Sequence, residues 1–516
     1  MSTDNPAPEN AEPATQTTTS EVSFVDQLVE ATGSKDAKKV RGWLEKLVQD
    51  AEKDQFRIER KTLDAIDKRV KELDAKLSQE VAKVLHHPKF QKLEGSWRGL
   101  KSLVDDSLLG SDLRIQVFDL SKDELCDDME APSFQSTVLY DKIYTRRYNM
   151  LGGVPIGTIV GDFEFSNAAR DVKTLSIMSE ICAVSHAPFL TSPSPKLFGI
   201  PEGKGWEVLE DLDDTAIENR FLNVSVVEMT EWRAFREKPD SRYVSMCMPK
   251  ALARLPYGMG DCEDPNGGQG AFEFQELPIG KDGVPIETGV DRYCWKNAAF
   301  CMAQCMSDAF AYHGWAVAIR GLESGGKVEG LPIHYFASEE NPDVRVQCPT
   351  QVPLAMSKDA ILGKVGFLPL LYELNSAHAV FIGGQTVHKP KAFDDSEAGN
   401  WASANENLSS RLPFVMAVSR AAHAIQPMLR VQLGKSKEAS EIEDYIHNWF
   451  VNNYVLDMDG ASEARKAEKP FRSAQIKVEE DPASPGVYNV KCSLRPHFQV
   501  EEINMQMSLV ASQRDS

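Results

Sequence analysis

Residues 158–190, TIVGDFEFSNAARDVKTLSIMSEICAVSHAPFL, carry the pattern that decides the fold class. Thr158 to Gly161 is a short apolar run typical of a strand, and Ala187 to Leu190 is a second one. Between them, Val172 to Val184 has the apolar spacing of a helix. This order of strand, helix and strand predicts a mixed α/β core, that is, an α/β fold of mixed α+β character.

The same mixture continues on both sides of this stretch. Before it, Leu113 to Leu120 alternates like a strand, and after it a second α/β region spans about residues 220 to 430. In that region we expect helices at 297–313, 409–433 and 442–454, and strands at 315–319, 366–371 and 380–384. Asp162 and Glu164 follow the first strand, where they are expected to stabilise the N-terminus of the next helix rather than to catalyse.

The N-terminal third is helical and contains a heptad repeat. A helix is expected at 34–48 and a longer one at about 55–85. The long helix places apolar residues at a and d positions, with one lapse at Glu80. These residues are Leu63, Ile66, Val70, Leu73, Leu77 and Val84. Such a repeat needs a second helix to cover it, either in a hairpin within the chain or in a coiled coil with another chain. The second interpretation is favoured, because no other heptad run of similar length is present.

The two ends of the chain differ from the middle. Residues 1–20 are rich in Pro, Thr, Ala and Glu, which is typical of a disordered leader. A short amphipathic segment follows, with Val22, Phe24, Val25, Leu28 and Val29 on two helical turns. It is either a docking helix for a partner or a helix that packs on its own domain.

The C-terminal tail reads as strands. We expect strands at 474–478, 487–494 and 498–510, beyond a helical linker at about 456–472. The last strand carries the apolar residues Phe498, Val500, Ile503, Met505, Met507 and Leu509. Strands at a terminus are well placed to extend the sheet of a neighbouring molecule.

Charge and composition exclude several classes of function. The 516 residues carry a formal charge of −20, which opposes binding to nucleic acid or to an anionic membrane surface. The sequence starts without the basic residues and apolar core of a signal peptide, and it has no apolar run long enough to insert into a membrane. Nine scattered cysteines fit reduced thiols in a cytoplasm better than a disulfide framework.

The strongest sign of an enzyme is the segment Gly321 to Lys327, GLESGGK, which matches most of a phosphate-binding loop. The position that should hold a magnesium-binding Ser or Thr is Val328, and the following residues, through Gly330 and Pro332, oppose a helix. We therefore expect a glycine-rich turn without a nucleotide. The sequence predicts no enzyme, no cofactor and no metal site, and a soluble α/β enzyme that uses a nucleotide is the alternative.

Two further clusters have structural explanations. Cys301 and Cys305 lie one helical turn apart among apolar residues, which favours buried thiols over a metal site. His86 and His87 are adjacent and point in different directions, so a role at a helix end is expected.

Several motifs closely resemble the large sheath subunit of type VI secretion systems, the TssC or VipB family. The motifs are HHPKFQKLEGSWRGL at 86–100, GDFEFS at 161–166, APFL at 187–190, SRYV at 241–244, LARLPYG at 252–258, NAAF at 297–300, LSSRLPF at 408–414 and PHFQV at 496–500. They occur in the family's order between about residues 20 and 510.

The resemblance implies a contractile-tail-sheath-like core and a structural role. It implies a small sheath subunit of the TssB or VipA kind as partner, together with other copies of this chain, an inner Hcp tube, a baseplate and a ClpV-type ATPase that dismantles contracted sheaths. It matches the segment Val22 to Val29 to the ATPase-binding peptide, the heptad helix to the small-subunit contact, and the C-terminal strands to inter-subunit linkers. The implied location is the bacterial cytoplasm, in a sheath that other proteins anchor to the envelope.

These observations divide the chain into six parts. They are a leader at 1–20, a docking helix at 21–33, a helical region for the small subunit at 34–110, a first α/β region at 111–220, a second at 221–455, and a linker with strands at 456–516. Besides the enzyme, an adaptor with a coiled-coil arm that never polymerises remains an alternative.

Overall fold

The structure is a computed structural model that describes most of the chain. The described residues are 38, 41–42, 61–107, 113–201, 204–258, 274, 276–277, 289–338, 341–374, 376–432, 435, 438–458, 460–480 and 488–497. The chain divides into two compact units, residues 1–77 and 78–516. Apart from the first part of one long helix, all the elements below belong to the second unit.

The described part of the chain alternates helices and strands. Its helices are α1 (Lys61–Leu85), α2 (Pro88–Asp106), α3 (Lys122–Asp128), α4 (Val138–Tyr140), α5 (Ala169–Ser185), α6 (Val208–Asp211), α7 (Asp214–Leu222), α8 (Thr230–Glu237), α9 (Ala298–His313), α10 (Met356–Lys364), α11 (Glu397–Ser409), α12 (Leu412–Gln432), α13 (Ala439–Tyr454) and α14 (Glu463–Glu468). A π-helical segment, Asp141–Tyr148, continues α4. Among the described helices, none combines the length and the apolar character needed to cross a membrane.

The strands form one large sheet and three small ones. They are β1 (Ile159–Phe165), β2 (Phe189–Pro193), β3 (Val244–Met248), β4 (Ala251–Leu252), β5 (Trp295–Lys296), β6 (Lys327–Val328), β7 (His334–Ser338), β8 (Asn341–Gln347), β9 (Leu368–Tyr372), β10 (Ala379–Phe381), β11 (Phe471–Glu480) and β12 (Tyr488–Pro496). The six-stranded sheet has the order β1-β2-β3-β9-β10-β6. Its first four strands are parallel, whereas β10 runs antiparallel to β9 and to β6.

The large sheet is covered on both faces, as its parallel strands require. Successive residues of a strand belong to different hydrophobic clusters, one on each face of the sheet. Phe189 belongs to one apolar cluster, which includes residues of α5 and α8, whereas Leu190 belongs to a second cluster built around α9. Met246 and Cys247 of β3 divide in the same way. The predicted strand-helix-strand unit and the mixed α/β class are therefore confirmed.

A third core holds the C-terminal elements together. Helices α12 and α13 pack with the hairpin of β11 and β12 around Ile446, Phe450 and Phe471. The predicted helix at 442–454 and the first two C-terminal strands are confirmed; the helix and the first strand begin earlier than predicted, and the second strand ends later.

Two predicted strands are wrong. Residues 113–120 join no sheet in the described part of the chain, and residues 315–319 form no strand either. In the second case the side chains are buried without a ladder, because Trp315 packs in the C-terminal core while Ile319 packs in the core around α9. The apolar pattern reports burial here, and burial does not require strand pairing.

The expected position of two carboxylates is also wrong. Asp162 and Glu164 lie within β1 rather than after it. Asp162 accepts a hydrogen bond from the Ser96 hydroxyl, and Glu164 pairs with Lys250 at 2.5 Å. The carboxylate that stands at the start of α5 is Asp171, which accepts the Ser166 amide at 2.7 Å.

Candidate functional site

The heptad seam of α1 is exposed to solvent. The seam residues whose side chains the structure describes, each between 41% and 58% exposed, are Ile66, Val70, Leu73, Leu77 and Val84. Val81, beside the lapse at Glu80, is exposed as well, whereas the side chain of Leu63 lies outside the described set. A single exposed aliphatic side chain is ordinary, but a row of them at heptad spacing is typical of a helix that pairs with another helix.

The C-terminal hairpin offers an open sheet edge. In the described part of the chain β12 pairs only with β11, whose other edge meets Val455 and Leu456 at one end. Val490, Cys492 and Leu494 of β12 line an apolar groove of about 480 Å³ together with residues of α12. An unpaired strand edge beside an apolar groove is suited to accept a further strand.

Two predicted sites lie outside the described residues. One is the ATPase-docking set of Val22, Phe24, Val25, Leu28 and Val29. The other is the inter-subunit strand set of Phe498, Val500, Ile503, Met505, Met507 and Leu509. Both sets stay predictions.

In the glycine-rich loop at 321–327, two backbone amides donate hydrogen bonds within the fold. The Gly321 amide donates to the Phe381 carbonyl at 2.7 Å, and the Gly326 amide donates to the Gly321 carbonyl at 3.0 Å. Lys327 begins the short strand β6 and pairs with Glu329 at 2.9 Å. A phosphate-binding loop needs free amides and a following helix, and this loop has a strand instead.

The two neighbouring thiols of α9 are buried. Burial raises the pKa of both Cys301 and Cys305 above the ordinary thiol range. Protonated thiols in an apolar cluster behave as small hydrophobic groups, as the sequence predicted.

His86 and His87 lie at the junction of α1 and α2, as expected. His87 is the N-cap of α2, and its Nδ1 accepts the Lys89 amide at 3.3 Å. His86 Nε2 lies 3.3 Å from a carboxylate oxygen of Glu276.

A serine, a histidine and a glutamate meet in a cluster that the sequence did not reveal. Ser241 Oγ lies 3.0 Å from His388 Nδ1, and His388 Nε2 lies 2.9 Å from Glu406 Oε1. The arrangement resembles a hydrolytic triad, but the Ser241 hydroxyl donates to the Lys238 carbonyl at 2.6 Å. Ser241 is fully buried, so no substrate reaches its oxygen. The cluster therefore ties α11 to the body of the fold.

A buried ion network fixes α2 in the same manner. Arg254 binds Glu94 of α2 with Nε at 2.6 Å and Nη2 at 3.1 Å, and it binds Glu276 with Nη1 at 2.6 Å and Nη2 at 3.0 Å. Arg98 of α2 also bonds to Glu94, at 2.7 Å. Burial alone would raise the pKa of Glu94, but the hydrogen bonds and charge of Arg254 and Arg98 outweigh it and lower that pKa. The network joins residues about 160 positions apart, so no local pattern predicts it.

Two histidines without a described carboxylate partner meet at the end of α5. His186 and His423 lie with ring centroids 6.3 Å apart, and Tyr148 stands against both rings. His186 Nδ1 lies 3.2 Å from the Tyr243 hydroxyl, and His423 Nε2 lies 3.0 Å from the Ser185 carbonyl. Burial and, to a lesser degree, the charge of His423 lower the pKa of His186 from 6.5 to about 4. Burial lowers the pKa of His423 as well.

We expect these histidines to make the chain less stable in mild acid. Because the pKa of His186 is depressed by folding, the unfolded chain binds a proton first, and stability falls as the pH drops from 6.5 towards 4. The loss from His186 should be about 2 kcal/mol at pH 5. Urea unfolding at pH 7.5 and at pH 5 measures it, with His186→Asn as comparison, because asparagine tolerates the left-handed backbone at this position. An equal loss in both proteins would contradict the prediction.

Comparisons with known proteins come from two family models and from several relatives. Residues 67–388 match the VipB model, described as the EvpB/VC_A0108 tail sheath N-terminal domain. Residues 401–513 match the VipB_2 model, described as the EvpB/VC_A0108 tail sheath gpW/gp25-like domain. The two matches together span most of the chain.

One curated relative and two solved structures are similar to this chain to different degrees. The type VI secretion system sheath protein TssC1 of Pseudomonas aeruginosa is 37% identical over 450 residues, which are 87% of this chain and 85% of the relative. The baseplate of the anti-feeding prophage has a TM-score of 0.32 at 12% identity, with 66% of each chain covered. Its contracted helical sheath has a TM-score of 0.25 at 10% identity, with 66% of this chain and 75% of that one covered. These two scores are too low to carry weight. On the family matches and the TssC1 identity, the chain belongs to the VipB/TssC family of type VI secretion sheath proteins.

Proposed function

We propose that this chain is the large structural subunit of a type VI secretion sheath, which assembles with a small subunit around an inner tube and contracts to propel that tube. Membership of the sheath family supports the role. The observation that carries the proposal is the exposed heptad seam of α1, because it leaves a row of aliphatic side chains for a second chain to cover.

The small sheath subunit is the proposed partner of that seam. Pairing would bury what remains exposed of five large aliphatic side chains, each between 41% and 58% exposed, so each contributes about half of the roughly 1.5–3 kcal/mol for complete burial. It would also help to offset the net charge of −20, which otherwise repels subunits packed side by side.

Neighbouring copies are proposed to connect through strands. The open edge of β12 and the groove beside it are suited to a terminal strand from another subunit. The residues proposed for that strand are Phe498, Val500, Ile503, Met505, Met507 and Leu509. Such links would keep the lattice connected while rigid cores change their packing.

The remaining partners follow from the family role. We propose that the sheath surrounds an Hcp tube, meets a baseplate, and is dismantled by a ClpV-type ATPase that binds Val22 to Val29. The sheath would lie in the bacterial cytoplasm, anchored to the envelope through other proteins. Contraction would release energy stored at assembly, because a metastable packing converts to one of lower energy. No nucleotide bound by this chain is needed for that conversion.

The pairing on α1 is tested by placing charge in its seam. Val70→Asp with Leu77→Asp should weaken binding to the small subunit by roughly 100-fold or more, because each carboxylate would have to lose water in an apolar seam. Binding is measured on co-expressed chains, and electron microscopy of the unmodified pair should show tubes with a helical lattice.

The matched control puts the same two charges on the opposite side of α1. Ala75 and Gln79 are exposed and face away from the seam, so Ala75→Asp with Gln79→Asp should bind normally. If both pairs of substitutions weakened binding equally, the proposed pairing through the seam would be refuted. A wild-type pair that binds but never polymerises would favour the adaptor, and turnover of a nucleotide that depends on Lys327 would favour the enzyme.

A further inference from the structure

The groove between α12 and β12 is an incompletely covered part of the C-terminal core. Its volume is about 480 Å³, and the described side chains that line it are all uncharged. From α12 the lining includes Phe414, Val418 and Ala422, which are four residues apart along one side of the helix and half-buried. From β12 it includes Val490, Cys492 and Leu494. The two strands of the hairpin therefore leave one side of α12 only partly covered.

Three charged residues that adjoin this lining in the sequence have other contacts. Arg420 lies 5.2 Å from the ring centroid of Phe310, and Arg430 donates to two backbone carbonyls before β1. Lys491 pairs with Glu479 at 2.7 Å. The groove is therefore suited to an apolar, uncharged occupant.

The open edge of β12 determines the form of that occupant. In the described part of the chain β12 pairs only with β11, so one side of its nine-residue ladder is unused. A strand added there would direct alternate side chains over the groove, on the same face as Val490, Cys492 and Leu494. The occupant should therefore be a strand with one apolar side and no charge.

The chain carries such a segment shortly after β12. Ile503 to Val510 lies outside the described residues and contains no charged residue, although 26% of the whole chain is charged. Its apolar residues alternate with polar ones at positions 503, 505, 507 and 509. Five residues separate it from His497, and hairpin loops usually have about two to five residues. The family model that matches residues 401–513 places α12, the hairpin and this segment in one domain.

We infer that in the unassembled subunit Ile503 to Val510 occupies the groove of its own chain, as a third strand beside β12. The inference rests on the proposed function, in which the same segment occupies the groove of a neighbour in the sheath. A short tether gives the segment a millimolar effective concentration at its own groove, far above the concentration of subunits in dilute solution. The free subunit therefore closes its own sheet edge.

Exchange between the two positions changes few contacts. The same groove binds the same segment within one chain or between two chains, so the ladder bonds are equal and the swap has a low cost in free energy. Contacts elsewhere in the lattice, such as the seam of α1, then decide when the segment moves to a neighbour. A closed edge also protects the free subunit from unspecific strand pairing.

Crosslinking of two thiols distinguishes the two positions of the segment. Cys492 is exposed and lines the groove, and Met505→Cys adds a second thiol on the side of the segment that would face it. A short bismaleimide is added to the co-expressed full-length chains after sedimentation has separated sheaths from unassembled subunits. We expect a link within one chain in the unassembled fraction and links between chains in the sheaths. The yield of the internal link should stay constant on roughly ten-fold dilution, because a tethered strand binds independently of concentration.

Two variants serve as controls for the crosslink. Gln506→Cys places the thiol on the other side of the segment, so it should give little link to Cys492. Met505→Cys combined with Cys492→Ser should give none, which excludes links through the other cysteines of the chain.

The outcomes separate this inference from the proposed function. Links between chains in both fractions, or links in the sheaths alone, would overturn the inference and leave the strand exchange supported. Links within one chain in both fractions would support the inference and contradict the strand exchange. Equal linking from positions 505 and 506 would overturn the inference, and the absence of links from both fractions would contradict the inference and the exchange together.

Discussion

A chain that ends at His497 should bind the small subunit and form no sheath. The truncation removes the proposed inter-subunit strand but keeps β12 intact, including the bond from the His497 amide to the Pro470 carbonyl at 3.1 Å. A strand that joins a neighbour's sheet makes about six ladder bonds at a net value of about 1 kcal/mol each. Every subunit in the lattice would lose that connection, so the effect on polymerisation should be complete.

Electron microscopy and sedimentation of the co-expressed chains measure this loss of polymerisation. A subtler variant tests the strand's register, since alternate residues of a strand face opposite sides. Met505→Asp with Met507→Asp should abolish sheaths, whereas Gln506→Asp with Ser508→Asp adds the same charge to the other side and should retain them. Normal sheaths from the truncated chain would refute the strand exchange.

Replacing Arg254 by methionine should cost 3–5 kcal/mol of folding free energy, roughly the penalty for leaving a buried charge without its partner. The side chains of Glu94 and Glu276 are only 11% and 2% exposed, and Arg254 bonds to both. Removing the arginine leaves two carboxylates close together with little water. Because Glu94 lies on α2, the damage should also loosen that helix.

Urea unfolding of the purified pair measures this change. The control removes the charges of Arg254 and of both its carboxylate partners at once, with Arg254→Met, Glu94→Gln and Glu276→Gln in one chain. A buried ion network exchanged as a whole is often nearly neutral, so the triple variant should recover most of the lost stability. If the triple variant were as unstable as Arg254→Met, shape rather than charge would explain the loss.

The sequence predicted the sheet's first crossover well. The strand at 159–165, the helix at 169–185 and the strand at 189–193 can each be recognised from the apolar pattern of their own residues. It failed where an apolar pattern has no partner strand. In residues 113–120 the alternation is real, yet Val117 and Phe118 are both largely exposed, and Lys142 stands over the Phe118 ring. A ladder depends on a distant partner strand, and no local pattern contains that partner.

Of the candidate surfaces, too, one was predicted from the sequence and another was not. The seam of α1 followed from heptad spacing alone. The exposed apolar side of α2, with Phe90, Leu93 and Trp97, did not, because a helical period shows that a helix has an apolar side but not whether that side faces inward. Gly95 and Gly99, one turn apart, were the available signal, since small residues on one face allow a close inner contact. No local sequence pattern indicated the network of Glu94, Arg254 and Glu276.

The glycine contacts of α2 also bear on how force would travel through a contracting sheath. At Gly95 and Gly99 the backbone of α2 lies directly against the Trp295 carbonyl and the Phe300 ring, so no side chain of α2 separates them. A pull applied to α2 would therefore reach α9 with little loss to local deformation. Stiffness at this contact would let α2 and α9 move together.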